Sequence, residues 1–203
     1  MSTTVLTALD GRSDYVGESF RGLNLDAASV AELRFEDCSF DTCSFHEATL
    51  ISCFFDECHF TSCDLSNARL TDCSVVDCRF IRSKALGVDW SQVRRLRFDV
   101  AFEDCELSYG SFSEMELSAM RATGCKLNHA DWTAANLEGA QYTNCDLRGS
   151  IFARTRLVDT DFGSCVGVAP DPAENRCQGA RICLEDALAI VTMQGFAIAD
   201  VAE

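Results

Sequence analysis

The chain has 203 residues, 47% of them hydrophobic, and 32 acidic against 17 basic residues give a formal net charge of -15. That length suits one domain with a sizeable core, and so acidic a chain is not expected to bind nucleic acid. The polar opening lacks the apolar run of a signal peptide and no later stretch reaches the length of a membrane span, so a cytoplasmic protein without membrane contact is expected.

Residues 1–14 read as a flexible N-terminus. Over residues 15–80 an apolar residue then falls at every fifth position, as in Phe20, Leu25, Val30, Phe35, Phe40, Phe45 and onward to Phe60 and Phe80. A period of five matches neither a helix nor a flat strand, which points to a solenoid. Two positions earlier in the unit stands a small or slender residue, as in Ala28, Cys38, Cys43, Ala48 and Cys53. Neither slot carries charge within the regular repeats, so both are expected to point inward while the other three face water.

Phe20, Phe40, Phe60 and Phe80 also recur at twenty, as do Cys105, Cys125, Cys145 and Cys165. Four five-residue sides therefore close one turn, and each residue stacks on its equivalent in the next. With turns ~4.8 Å apart, about six to seven of them make a rod of about 30 Å.

Residues 81–101 interrupt the beat. Ala85 is small for its slot, Trp90 restores the rhythm, and the next secure position is Phe102, so two residues are inserted. A kink or bulge between two β-helix segments is expected there. The stretch gathers Arg82, Lys84, Arg94, Arg95 and Arg97. Arg94, Arg95 and Arg97 are candidates for contact with an acidic partner, a local counter-ion patch being the alternative. Trp90 reads as a core filler, with a partner anchor as the alternative.

Residues 102–165 resume the period through Leu107, Phe112, Leu117, Leu127, Trp132 and Phe162. Residues 166–203 open with loop punctuation at Gly167 and Pro170-Asp171-Pro172. Leu184, Ala187, Leu188 and Val191 then recur at helical spacing, closed by Gly195. Leu184, Leu188, Val191, Phe196 and Ile198 are the candidates for capping the open end of the stack or for a twofold dimer contact.

Eleven of the 13 cysteines occupy the small inward slot, where a thiol packs as a small apolar group, which suits a reducing compartment. His46, His59 and His129 share no column, so no metal site is expected. Phosphate-loop, dinucleotide and nucleophile-elbow motifs are missing from the sequence. The many carboxylates lie on a convex face rather than in a cleft that would shift their pKa. No catalytic residue, cofactor or enzymatic activity is expected.

Acids outnumber bases by 12 to 4 over residues 18–80 and by 10 to 5 over 102–165, a net -13. Along the expected rod this is about one charge per 2.4 Å, against ~1.7 Å for duplex DNA. Glu36, Asp37, Asp56, Glu57 and Asp77 fall on one side in successive turns, where like charges stack and repel. A functional electronegative stripe is expected, acid serving solubility alone being the other reading.

Ala135-Asn136-Leu137, Cys145-Asp146-Leu147, Cys63-Asp64-Leu65 and Thr160-Asp161-Phe162 resemble the repeat unit of the pentapeptide-repeat protein family, over about residues 15–165. The resemblance implies an all-β, right-handed quadrilateral parallel β-helix with a short C-terminal capping or dimerisation helix. It also implies an acidic, DNA-mimicking rod that binds a bacterial type II topoisomerase such as DNA gyrase, modulates or protects it against quinolone-type poisons, and forms a homodimer through the C-terminal segment. The alternative is a non-enzymatic interaction scaffold of the same family whose partner is unrelated to topoisomerases.

Overall fold

Each five-residue unit folds as a short straight side followed by a corner, and four such units close one rung of a parallel β-helix. The structure, a computed structural model, describes residues 5–6, 8–94, 98–118 and 120–199. Strands are mostly three residues long with the middle side chain buried, as in Arg34–Glu36, Ser39–Asp41 and His59–Thr61. Successive rungs pair in parallel and in register: Phe20 with Phe40, Phe40 with Phe60, Phe60 with Phe80, Phe80 with Phe102.

The register sorts the large inward residues into four faces. Tyr15, Phe35, Phe55 and Val75 begin the first, and Phe20, Phe40, Phe60 and Phe80 the second. Phe45, Leu65, Ala85 and Leu107 line the third, and Leu50, Leu70, Trp90 and Phe112 the fourth. Because equivalent side chains lie one rung apart, identical aromatics stack. The rings of Phe20, Phe40, Phe60 and Phe80 follow one another at 4.9, 4.7 and 4.6 Å, almost parallel. Such pairs add about 0.5–1.5 kcal/mol each beyond their buried area.

The small slot is equally constrained. Cys63, for example, donates its thiol to the carbonyls of Phe40 at 3.4 Å and Thr61 at 3.5 Å, and Cys38, Cys58 and Cys78 repeat the pattern. At the corners the chain turns through positive φ even where the residue is not glycine, as at Asp37, Glu57 and Asp77 (51°, 54° and 52°). Left-handed backbone is unfavourable for such residues. It is offset here because corner N–H groups meet carbonyls of the next rung, Asp37 that of Asp56 and Glu57 that of Val76, both at 3.0 Å.

The interruption is absorbed within one continuous ladder. Strand Ser74–Ile81 pairs with Asp99–Glu103, first as Val76 with Asp99, then with a register shift as Cys78 with Val100 and Phe80 with Phe102. The offset is thus 23 residues before the bulge and 22 after it, which accounts for the two inserted residues. Phe98 and Val93 are buried beside it, and one core runs through both segments. Trp90 is fully buried, stacked on Phe112 at 6.2 Å, and so fills the core.

The coil is longer at both ends than residues 15–165. Val5–Leu6, inside the segment expected to be flexible, forms a strand paired with Ser19 and Phe20. Leu9 packs on the core, and Tyr15 donates its hydroxyl to Asp10 at 3.1 Å. Beyond Cys165, where the repeat pattern was expected to end, Asn175 takes the small slot above Thr155, accepting from its N–H at 2.8 Å and donating to the Phe152 carbonyl at 3.0 Å. Cys177, Ala180 and Ile182 then pack on the core. From Phe20 to Ile182 the stack rises about 38 Å at strand spacing. An α-helix, Leu184–Met193, follows.

Candidate functional site

The acidic residues singled out above lie together. Strands Arg34–Glu36, Phe54–Asp56 and Ser74–Ile81 stack on the first face, which sets Glu36 directly against Asp56, with Val76 next and Asp99 beyond it. Asp37, Glu57 and Asp77 occupy the adjoining corner in the same three rungs. Glu36, Asp37, Glu57 and Asp77 are exposed and Asp56 is half-buried. The edge of this stripe carries some compensating charge. Arg34 approaches Glu36 at 3.9 Å, and the guanidinium groups of Arg34 and Arg94 lie over the Phe54 ring at 5.8 and 4.7 Å. Arg94 is therefore laid against the stripe's flank, while Arg95 and Arg97 fall outside the described residues.

The opposite face is built differently. Its column reads Asp64, Lys84, Glu106, Lys126 and Asp146, signs alternating up the rungs. Lys126 pairs with Glu106 at 3.3 Å, and Arg148 grips Asp146 with Nε at 2.9 and 3.1 Å from the two carboxylate oxygens. The hydrogen bonds from Arg148 hold the Asp146 carboxyl down at about 2, partial burial opposing them. Signs thus alternate along this column, unlike the register pair Glu36 and Asp56 on the first face.

The C-terminal helix meets the coil through a residue that periodicity alone does not single out. Asp186 is buried, its carboxylate accepting from the N–H groups of Gly167 at 3.0 Å and Val168 at 2.8 Å. The candidates Leu184, Leu188 and Val191 face outward with Met193, and Phe196 and Ile198 beyond the helix are exposed as well. The apolar stripe is thus exposed rather than packed on the coil. Among the described residues no group of three His, Cys, Asp or Glu side chains could hold a metal ion, and no helix is long and apolar enough to cross a membrane.

A rod of four-sided rungs, each side five residues long and each inward side chain stacked on its equivalent, defines a quadrilateral β-solenoid. A family profile described as "Pentapeptide repeat region" matches residues 96–166, and one described as "SV2A/B/C luminal domain" matches residues 6–84. The second part of the coil thus matches the pentapeptide-repeat profile, and the whole chain has the quadrilateral solenoid fold. No curated protein matches it. Among solved structures it is similar to two trypsin-treated variants of QnrB1, a plasmid-mediated fluoroquinolone resistance protein. They align at 21% and 22% identity over 97% of this chain and 97% and 98% of theirs, each with a TM-score of 0.51. HetL of the cyanobacterium Nostoc, a pentapeptide-repeat protein involved in regulating heterocyst differentiation, aligns at 16% identity over 83% of this chain and 86% of its own, with a TM-score of 0.32.

Proposed function

We propose that the protein is a DNA-mimicking rod that binds a bacterial type II topoisomerase, DNA gyrase, and modulates it or protects it from quinolone-type poisons. The observation that supports this most directly is the register pairing of Glu36 with Asp56 beside the corner Asp37, Glu57 and Asp77. Like charges held at strand spacing destabilise the sheet that carries them, so their retention on one face, while the opposite face alternates its signs, favours selection for a cationic partner. A rod about 38 Å long at ~4.8 Å per rung presents that charge on a rigid surface, as duplex DNA does. The fluoroquinolone-resistance role belongs to QnrB1, whose fold this chain shares; it is extended here as part of the proposal.

The action proposed is binding, without chemistry. Association is steered by charge, so affinity falls steeply with salt. The open patch of Leu184, Leu188, Val191, Phe196 and Ile198 is proposed to join two copies, extending the rod. A reducing, cytoplasmic setting is proposed because the buried cysteines pack as hydrogen-bond-donating thiols. The direct test is a gyrase supercoiling and cleavage assay with and without a fluoroquinolone. Micromolar protein is expected to shift inhibition or drug-induced cleavage, and no change in either would refute the assignment.

A further inference from the structure

Phe54 departs from the pattern of the coil. Phe20, Phe40, Phe60 and Phe80 point into the core, whereas Phe54 takes the outward slot beside the buried Phe55 and is only half-buried. An aromatic ring on a strand face gains little unless something covers it. The chain's own arginines do so. Arg34 pairs in register with Phe54 from the rung below, and its guanidinium lies 5.8 Å from the ring centroid. The guanidinium of Arg94 lies closer, at 4.7 Å.

Arg94 reaches the ring from two rungs away. Phe54 donates its N–H to the Leu33 carbonyl, Ser74 to that of Cys53 and Arg94 to that of Cys73, each at 2.8 Å, so Arg34, Phe54, Ser74 and Arg94 form one column. At ~4.8 Å per rung the Arg94 side chain passes the rung of Ser74, whose short side chain leaves the way open, and ends on the ring. Two residues along the same strands, on the same face, stand Glu36 and Asp56, with Val76 next. Arg34 shows how ring and carboxylate act together, since it stands 3.9 Å from Glu36 as well as near Phe54. A flat, delocalised guanidinium suits an aromatic face bordered by carboxylates better than the compact, strongly hydrated ammonium of lysine does. The ring and its acidic border thus compose a place for a guanidinium, and Arg94 fills it.

We propose that Phe54, with Glu36 and Asp56 beside it, receives an arginine side chain of the partner, and that Arg94 occupies this place in the free protein and is displaced on binding. This rests on the cationic partner inferred above and gives that partner a residue type. Arg94 is then a built-in competitor, which covers the ring until another guanidinium takes its place. Phe54 makes the stripe discriminate arginine from lysine at one fixed point, which charge alone does not do.

The test uses the full chain with fluorescent hexa-arginine and hexa-lysine peptides, and purified DNA gyrase titrated in parallel. The wild type is expected to bind hexa-arginine more tightly than hexa-lysine. Arg94→Gln is expected to tighten hexa-arginine and gyrase by about threefold, the worth of an exposed cation–π contact, and hexa-lysine by less. Phe54→Leu is expected to bring hexa-arginine to the hexa-lysine value, and with Arg94→Gln added the gain is expected to drop to the hexa-lysine level. Phe54→Thr, which places a strong strand former on the same strand, repeats both comparisons if Phe54→Leu loses the wild-type circular dichroism. Equal tightening of both peptides by Arg94→Gln, or a full gain that persists without the ring, would reduce Arg94 to bulk charge and overturn the site. Weaker binding by Arg94→Gln would overturn it too, by making Arg94 a partner contact itself. If the wild type discriminates between the peptides as expected but does not bind gyrase, the gyrase assignment falls and the guanidinium site stands.

Discussion

Asp186 ties the helix to the coil through two backbone donors, Gly167 and Val168, that the end of the stack would otherwise bury unpaired. Removing one member of such a set leaves desolvated N–H groups, at about 1–3 kcal/mol. Asp186→Ala is therefore expected to abolish hydrogen-exchange protection at Gly167 and Val168 and to loosen the helix, with the central rungs unaffected; unchanged protection would contradict this account. Asp146 permits a prediction about acid. Its carboxyl titrates at about 2 rather than 3.8 because Arg148 hydrogen-bonds the ionised form. The stability it contributes is present above about 3.8 and is lost as pH falls towards 2. Asp146→Asn should melt at a temperature less sensitive to pH across that interval than the wild type, an effect kept modest by the exposure of Arg148.

The strands were legible in the sequence because stacking requires what the eye detects: a rung of four sides repeats every twenty residues, so Phe20, Phe40, Phe60 and Phe80 must coincide in register. The same period sets Glu36 beside Asp56 and Asp37 beside Glu57. The ends were less legible, since terminal rungs pack on one neighbour only and tolerate Val168, Asn175 and Cys177 where inner rungs use the regular residues. Helical periodicity showed that Leu184, Leu188 and Val191 share a face but not which way that face turns, and Asp186 decides it. Two experiments probe these elements. Phe60→Ala removes the centre of a column stacked at 4.7 and 4.6 Å, and should cost about 3–5 kcal/mol in equilibrium unfolding. Glu36→Gln with Asp56→Asn should raise the melting temperature at low ionic strength, the gain shrinking as salt screens the pair.

For the whole molecule, stability is a sum over neighbouring rungs, and the two ends decide what the rod can join. If the outward patch at the C-terminal end closes a twofold contact, Leu188→Glu with Val191→Glu should convert a dimer into a monomer in sedimentation, with the coil's circular dichroism preserved. The thiol columns carry a different consequence. While the coil persists, Cys38, Cys43, Cys58 and Cys78 lie shielded along its length, each hydrogen-bonded to carbonyls. Once the rungs part, the same side chains become a crowd of oxidisable groups on one short chain. Cross-linking would then trap the opened molecule in pairings that no longer rewind, so the protein's lifetime under oxidising conditions is set by how often it opens, not by how tightly it holds when closed.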